Sequence, residues 1–148
     1  MATTVGFIGI GAMGRPMVEN LAKAGFAVQS YDRNGRGNRK SAAAAAKGAD
    51  VLITMLPGGE AVREAVLEAL PALARGTIVV DMSSAEPAGT RALGAALEAS
   101  GIEFMDAPVS GAVALRAAQG RGRDDNADHL RAASDAARHR GARACAAR

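Results

Sequence analysis

Residues 4–14 read Thr-Val-Gly-Phe-Ile-Gly-Ile-Gly-Ala-Met-Gly, and this stretch decides the fold. Its first five residues form a short, largely apolar run, which predicts a buried strand. The glycines that follow have the spacing G-x-G-x-x-G and interrupt that strand. A helix is predicted next, because apolar side chains recur every four residues at Met13, Met17 and Leu21. The chain therefore begins with a strand, a glycine turn and a helix.

The glycine turn has the composition of a phosphate-binding site. Gly9 allows the tight turn, Gly11 lets the backbone approach a pyrophosphate, and Gly14 lets the helix pack close to the strand. An anion would then lie at the positive N-terminus of the helix. This spacing alone is often only a turn, but its position between a strand and a helix favours dinucleotide binding. The residues predicted to hold the pyrophosphate are Gly9, Ile10, Gly11, Ala12, Met13 and Gly14.

A second strand is predicted over residues 26–31 and ends at Asp32, 18 residues after Gly14. The Asp32 carboxylate can accept hydrogen bonds from both ribose hydroxyls of an adenosine and would repel a 2′-phosphate, which favours NAD over NADP. Arg33 favours the opposite, because a neighbouring arginine can pair with that phosphate. NAD is therefore the predicted cofactor, with NADP as the alternative. The simpler interpretation of Asp32 is an ordinary polar residue at a strand end.

Strands and helices continue to alternate along the chain. Strands are predicted over residues 50–55, 77–80 and 102–105, and helices over residues 41–47, 60–70 and 87–100. Ser83 or Ser84 is predicted to cap the last helix, and a hydrogen bond to cofactor or substrate is the alternative role. The alternation is typical of a parallel sheet covered on both faces, so we predict an α/β fold, a doubly wound sheet of the Rossmann type.

Two other short segments follow predicted strands, where sites in such sheets lie. Leu56 and Pro57 either form an apolar wall beside the nicotinamide ribose or only stop a strand. Ser110 and Gly111 either offer a hydroxyl and a permissive backbone near the reacting centre or form a plain turn.

Charge is distributed unevenly along the 148 residues, whose formal net charge is +3. Residues 1–112 carry ten Lys and Arg against eleven Asp and Glu, whereas residues 113–148 carry eight Arg against four Asp. The second segment is rich in Ala and Arg and has no apolar periodicity, which predicts a disordered tail behind a dinucleotide-binding domain. Its arginines lack interleaved aromatics, so nucleic acid is not the predicted partner. The alternative is a scaffold whose tail binds nucleic acid or a protein.

Neither a metal site nor a membrane segment is predicted. Cys145 is the only cysteine, and both histidines, His129 and His139, lie in the tail, so no group resembles a metal-ligand cluster. The apolar residues 5–10 are too few to span a membrane and lack the basic flank of a signal peptide. The predicted location is therefore a reducing cytoplasm.

Spaced motifs in residues 6–14, 55–57 and 106–111 together resemble the β-hydroxyacid dehydrogenase family, to which the 3-hydroxyisobutyrate dehydrogenases belong. They read Gly-Phe-Ile-Gly-Ile-Gly-Ala-Met-Gly, Met-Leu-Pro and Asp-Ala-Pro-Val-Ser-Gly. The resemblance covers residues 5 to about 112. It implies a cofactor domain of the 6-phosphogluconate dehydrogenase type and hydride transfer between a nicotinamide cofactor and a short 3-hydroxy acid.

The resemblance also implies a role for each matched residue. The glycine turn would hold the pyrophosphate, Asp32 and Arg33 would face the adenosine ribose, and Leu56 and Pro57 would face the nicotinamide. Ser110 and Gly111 would help to hold the substrate carboxylate.

This sequence departs from the family pattern in three places. Residues 33–49 are too few for the usual helix and third strand, so the sheet is predicted to lack the edge strand beside the second strand. Ala112 stands where the family usually has glycine, which costs about 1 kcal/mol if that position needs a positive φ. No segment matches the family's catalytic helix, since the lysines are only Lys23, Lys40 and Lys47. No catalytic residue is therefore assigned.

These departures lead to expectations for the chain itself. Cofactor binding with little or no turnover is expected, because general acid–base catalysis contributes roughly 10²–10⁴-fold. A non-catalytic cofactor-binding remnant is the alternative function. Apolar surface beside the missing strand favours self-association into a homo-oligomer. The abrupt change of composition after residue 112 leads to the hypothesis of a reading-frame change between residues 113 and 120, which sequencing the gene would decide.

Overall fold

A computed structural model describes residues 2–108, which form one five-stranded parallel sheet. The strands are β1 (Thr4–Ile8), β2 (Ala27–Tyr31), β3 (Val51–Thr54), β4 (Ile78–Asp81) and β5 (Glu103–Asp106). Their order across the sheet is β2-β1-β3-β4-β5, so β1 and β3 are neighbours although β2 lies between them in the chain. From β1 the chain adds β2 on one side of the sheet and then β3, β4 and β5 on the other side. Parallel sheets bind ligands at the point where the direction changes in this way, here between β1 and β3.

Helices pack against both faces of the sheet. They are α1 (Gly14–Lys23), α2 (Ala42–Ala46), α3 (Gly59–Ala69) and α4 (Pro87–Ala99), and a 3₁₀ turn, Leu70–Ala72, follows α3. On one face α1 contributes Met17 and Leu21 to the core. On the other face α2, α3 and α4 contribute the residues Ala42, Ala46, Val62, Val66, Leu93 and Leu97. The predicted α/β architecture is therefore confirmed.

Strand β3 shows why the sheet is apolar on both sides. Val51 and Ile53 pack on the face of α1, whereas Leu52 between them packs on the face of the other three helices. All four β3 residues are buried. A strand covered on both faces needs a continuous apolar run, and that is the pattern from which it was predicted.

The structure contradicts the predicted cap of α4. The residue before its first turn is Glu86, which makes no side-chain cap hydrogen bond, and Pro87 occupies the first helical position. Ser83 is fully buried three residues earlier and bonds elsewhere. The cap prediction was wrong because Pro87, which favours the first helical position, starts the helix there, so the residue in the cap position is Glu86 and not a serine.

Strand β2 forms one edge of the sheet, as the short segment 33–49 predicted. That segment contains α2 but no strand. In place of a strand, the Ser30 N–H donates to Asn38 Oδ1 at 2.8 Å, and Asn38 Nδ2 donates to the Val28 carbonyl at 3.0 Å. The Arg39 N–H donates to the Ser30 carbonyl at 2.8 Å. The Asn38 side chain and the Arg39 N–H thus form hydrogen bonds with three backbone groups of β2 that would otherwise be unpaired at the edge of the sheet.

Replacing Asn38 by alanine is expected to lower the free energy of unfolding by about 1–3 kcal/mol, because the N–H of the buried Ser30 loses its partner. Urea unfolding at 25 °C measures the change. Asn34→Ala is the matched control, since Asn34 lies in the same loop and contributes only its backbone N–H to a hydrogen bond. Equal midpoints for the two variants would contradict the account of the edge.

Two kinds of feature are absent from the part of the chain that the structure describes. Within residues 2–108, no helix is long and apolar enough to cross a membrane. The same residues contain no group of three His, Cys, Asp or Glu side chains arranged to hold a metal ion. Residues 109–148 lie outside the described residues. The assignments of Ser110, Gly111 and the Ala/Arg-rich tail therefore stay predictions.

Candidate functional site

The glycine turn leaves the end of β1 through a conformation that favours glycine. Gly9 has a φ of +103°, and its N–H donates to the Tyr31 carbonyl of β2 at 3.0 Å. A Cβ atom at Gly9 would collide with the backbone carbonyl of Met55. The turn is therefore packed between the ends of β2 and β3. A side chain at Gly9 is excluded both by the positive φ and by the collision with Met55.

The second and third glycines have opposite surroundings. A Cβ atom at Gly14 would collide with the Gly9 carbonyl and would lie 3.2 Å from the Phe7 ring, so the start of α1 packs directly on β1. A Cβ atom at Gly11 would meet no atom within 4 Å. Gly11 therefore borders open space, which is what a ligand approaching the backbone requires.

The N-terminus of α1 is suited to an anion. Met13 precedes the helix without a side-chain cap, and the first turn contains no acidic residue. No carboxylate of the helix's own first turn therefore neutralises the partial positive charge of its first backbone N–H groups. A phosphate is the group that such a helix start most often binds.

Asp32 is tied to the glycine turn. Its Oδ2 accepts a hydrogen bond from the Ile10 N–H at 2.9 Å, and its Oδ1 accepts one from the Asn34 N–H at 2.8 Å. Each carboxylate oxygen can accept a second bond, so both can still receive a ribose hydroxyl. The sequence indicated a ligand-binding role for Asp32. The structure adds that the same carboxylate fixes the turn to the end of β2.

A pocket of about 360 Å³ lies between the glycine turn, the end of β2, the end of β3 and α3. Its volume falls within the range of roughly 300–1,000 Å³ that is usual for ligand pockets. Six of the predicted site residues line it: Gly9, Gly11, Asp32, Arg33, Leu56 and Pro57. The other predicted cofactor-binding residues, Ile10, Ala12, Met13 and Gly14, belong to the turn and the start of α1 but are not lining residues. Leu56 and Pro57 thus share one pocket with Asp32 and Arg33.

Two arginines border this pocket. The Arg33 guanidinium lies 3.4 Å from the Glu64 carboxylate of α3, and both side chains are mostly exposed, so the pair adds little stability. Arg36 Nη1 donates to the Ile10 carbonyl at 3.4 Å. Sequence reasoning missed Arg36, and the only available signal was a basic residue in the loop that follows Asp32.

Buried polar groups brace the ends of β3 and β4 beside the pocket. Ser83 Oγ accepts a hydrogen bond from the Leu56 N–H at 2.8 Å, and the Ser83 N–H donates to Asp81 Oδ1 at 2.9 Å. Thr54 Oγ1 donates to the same Asp81 oxygen at 3.0 Å. Ser83 therefore holds Leu56 in place from a fully buried position. Its neighbour Ser84 is exposed.

A larger and more open groove of about 930 Å³ runs along α4 and β5. None of its lining residues belongs to the glycine turn or to the end of β2. The larger groove has no such group of motif residues, whereas the smaller pocket joins the glycine turn to three carboxylates (Asp32, Glu64 and Glu68) and two arginines. The smaller pocket is therefore the candidate site.

A parallel sheet, a glycine turn ahead of an uncapped helix and an acidic residue at the end of β2 define a dinucleotide-binding domain of the Rossmann class. The sequence profile of the NAD binding domain of 6-phosphogluconate dehydrogenase matches residues 4–121. The chain belongs to that family.

Known relatives agree with this assignment. The chain is 39% identical over 121 residues to a probable 3-hydroxyisobutyrate dehydrogenase of Mycobacterium tuberculosis, a match that covers 75% of this chain and 41% of that protein. It is 38% identical over 127 residues to an NAD-dependent L-serine dehydrogenase of Pseudomonas aeruginosa, covering 77% and 43%. A structure of the Mycobacterium tuberculosis 3-hydroxyisobutyrate dehydrogenase with L-serine superposes with a TM-score of 0.73 at 39% identity, covering 80% and 44%.

These matches cover only part of each relative. The chain spans about two fifths of the length of the curated relatives it matches. The likeness therefore concerns the NAD-binding domain of hydroxyacid dehydrogenases of the 3-hydroxyisobutyrate dehydrogenase type.

Proposed function

We propose that this chain binds NAD or NADP at its glycine turn and acts as the cofactor domain of an oxidoreductase for short 3-hydroxy acids. The observation that carries the proposal is the open space at Gly11, which adjoins the pocket containing Asp32. A cofactor fits there because Gly11 leaves open space beside the backbone, and because charged and apolar side chains line the adjoining pocket.

The pyrophosphate would bind at the turn and at the start of α1. Residues 11–14 supply backbone N–H groups there, because the Ile10 N–H is already bonded to Asp32, and no side chain of the first turn competes for them. Gly9 and Gly14 hold the shape of the turn through close packing, whereas Gly11 keeps the approach open. Each glycine of the motif thus has a separate part in the proposed site.

The adenosine would lie in the 360 Å³ pocket. Asp32 would accept hydrogen bonds from the ribose hydroxyls through the lone pairs that its two backbone partners leave free. Leu56, held by Ser83, supplies apolar wall to the same pocket. The placement of Leu56 and Pro57 next to Asp32 supports contact with the adenosine half in addition to the nicotinamide side inferred from the resemblance.

The proposed reaction is the oxidation of a short 3-hydroxy acid, or its reverse. When bound, the nicotinamide supplies the acceptor or donor of the hydride. Named relatives include a 3-hydroxyisobutyrate dehydrogenase and an L-serine dehydrogenase, which supports a small hydroxy acid as substrate. The three lysines, Lys23, Lys40 and Lys47, do not line the pocket. We therefore expect this chain by itself to bind cofactor with little turnover.

Replacing Asp32 by asparagine is expected to weaken NAD binding about tenfold or more, because the ribose hydroxyls lose a charged acceptor. Calorimetric titration with NAD measures the affinity. Asp50→Asn is the matched control, since Asp50 Oδ2 also accepts a backbone N–H, from Thr4, but precedes β3 at the opposite end of the strands. The proposal would be contradicted if both variants, still folded, bound NAD as the unchanged chain does.

A further inference from the structure

Asp81 is a fully buried acidic residue to which the proposed function gives no part. It is the last residue of β4, and its Oδ1 accepts two hydrogen bonds, from Thr54 Oγ1 at 3.0 Å and from the Ser83 N–H at 2.9 Å. Its Oδ2 is also buried and has no hydrogen-bond partner among the residues that the structure describes. A buried polar atom without a partner lowers stability, so the fold alone does not account for a carboxyl group at this position.

Hydrogen bonds lead from Asp81 to the wall of the candidate pocket. Asp81 Oδ1 holds the Ser83 N–H, and Ser83 Oγ in turn accepts from the Leu56 N–H at 2.8 Å. Leu56 lines the pocket, whereas Thr54, Asp81 and Ser83 do not. Asp81 would therefore act on a ligand only through Leu56.

The position of Leu56 depends on a side chain because the ladder between β3 and β4 ends just before it. The last paired residues are Thr54 and Asp81, and the Met82 N–H donates to the Thr54 carbonyl at 2.9 Å. In a longer parallel ladder the Leu56 N–H would next bond a backbone carbonyl of β4. The Ser83 hydroxyl accepts that bond instead, so the strand end that borders the pocket is fixed by Ser83 and by the carboxyl group that holds Ser83.

We propose that Asp81 is a positioning residue for the bound cofactor, which sets the place of Leu56 in the pocket wall through Ser83. This inference rests on the proposed function. Thr54, Asp81 and Ser83 are all buried in a closely packed interior, so a displacement at Asp81 would pass to Leu56. A buried network of this kind fixes one arrangement of the groups that it joins.

The test compares the NAD affinity of full-chain variants, measured by calorimetric titration, with their melting temperatures. Asp81→Ala is expected to weaken NAD binding about tenfold, because Ser83 loses the acceptor that holds it and Leu56 is then no longer fixed. Asp81→Asn keeps an oxygen that can accept both bonds. Its NAD affinity is expected to stay within about threefold of that of the unmodified chain.

A second pair of variants separates positioning from stability. Thr54→Val removes a buried hydroxyl that donates to Asp81, and Thr77→Val removes one that donates to the Ala49 carbonyl at 3.3 Å, at the opposite ends of β3 and β4. The two melting temperatures are expected to fall by similar amounts, since each variant loses one buried hydrogen bond. NAD affinity is expected to fall about fivefold in Thr54→Val and to change less than about twofold in Thr77→Val. Thr54→Ser, which keeps the hydroxyl, is expected to retain the affinity.

Each other outcome has a defined meaning. Equal NAD affinities of Thr54→Val and Thr77→Val would overturn the inference, because the bonds of Asp81 would then serve the fold alone, and this pair decides the matter if Asp81→Ala does not fold. A folded Asp81→Ala variant with unchanged NAD affinity would overturn it as well, and so would an equal loss in Asp81→Asn. Failure of the folded, unmodified chain to bind NAD would instead contradict the proposed function.

Discussion

Replacing Gly9 by alanine is expected to destabilise the protein by about 3 kcal/mol, which is a large part of the 5–15 kcal/mol that typically keeps a domain folded. Part of the cost arises because the alanine would be forced to a φ of +103°. The rest arises because its methyl group would press on the backbone carbonyl of Met55, which belongs to the strand end and cannot easily move. The melting temperature is expected to fall by about 10 °C or more.

Gly25→Ala separates the two causes. Gly25 also has a positive φ, +90°, but a Cβ atom there would meet no atom within 4 Å. This control should therefore cost only the conformational part, about 1 kcal/mol. Thermal and urea unfolding of both variants would measure the difference. Equal destabilisation would show that the turn is not packed against β3 as described.

Replacing Gly11 by valine is expected to abolish measurable NAD binding while leaving the fold intact. The valine side chain would project into the open space beside the turn, where no protein atom lies within 4 Å of its Cβ. It would block the approach of the pyrophosphate to the backbone and so remove its charge-assisted hydrogen bonds. Two such bonds at about 1.5–3 kcal/mol each correspond to a loss of affinity of about 100-fold or more.

A Gly11→Ala variant extends this test. Its smaller side chain should weaken binding less than valine does, while the melting temperatures of both variants stay within about 2 °C of the unmodified chain, because a Cβ atom at this position borders open space. A large drop in melting temperature at Gly11 would place this glycine in the packed interior of the turn. Retained NAD affinity in the valine variant would remove Gly11 from the proposed site.

The elements of the fold were largely predictable because each carries a local signal. Strand β3 is a continuous apolar run, and α1 repeats its apolar residues at helical spacing. Gly25 and Gly101 both have positive φ values directly after helices, as their positions in the sequence indicated. The first residue of α4 was predicted correctly, but its cap was not: two nearby serines resemble caps, whereas Pro87 occupies the first helical position and Glu86 precedes it.

The candidate site was predictable only where a motif marks it. The glycine turn and Asp32 follow strands and have a known spacing. The bonds of Arg36 to Ile10 and of Ser83 to Leu56 join residues 26 and 27 positions apart, and no periodicity or composition indicates them. The same holds for Asn38. The sequence predicted that an edge strand is missing, but not that one asparagine side chain takes over its hydrogen bonds.

Calorimetric titration of the full chain with NAD tests the central claim most directly. The account predicts saturable binding with one NAD per chain, and no detectable binding by a Gly11→Val variant that melts at the same temperature. A folded chain that produces no binding heat with NAD, confirmed by the absence of any shift in its melting temperature at high NAD concentration, would contradict the account.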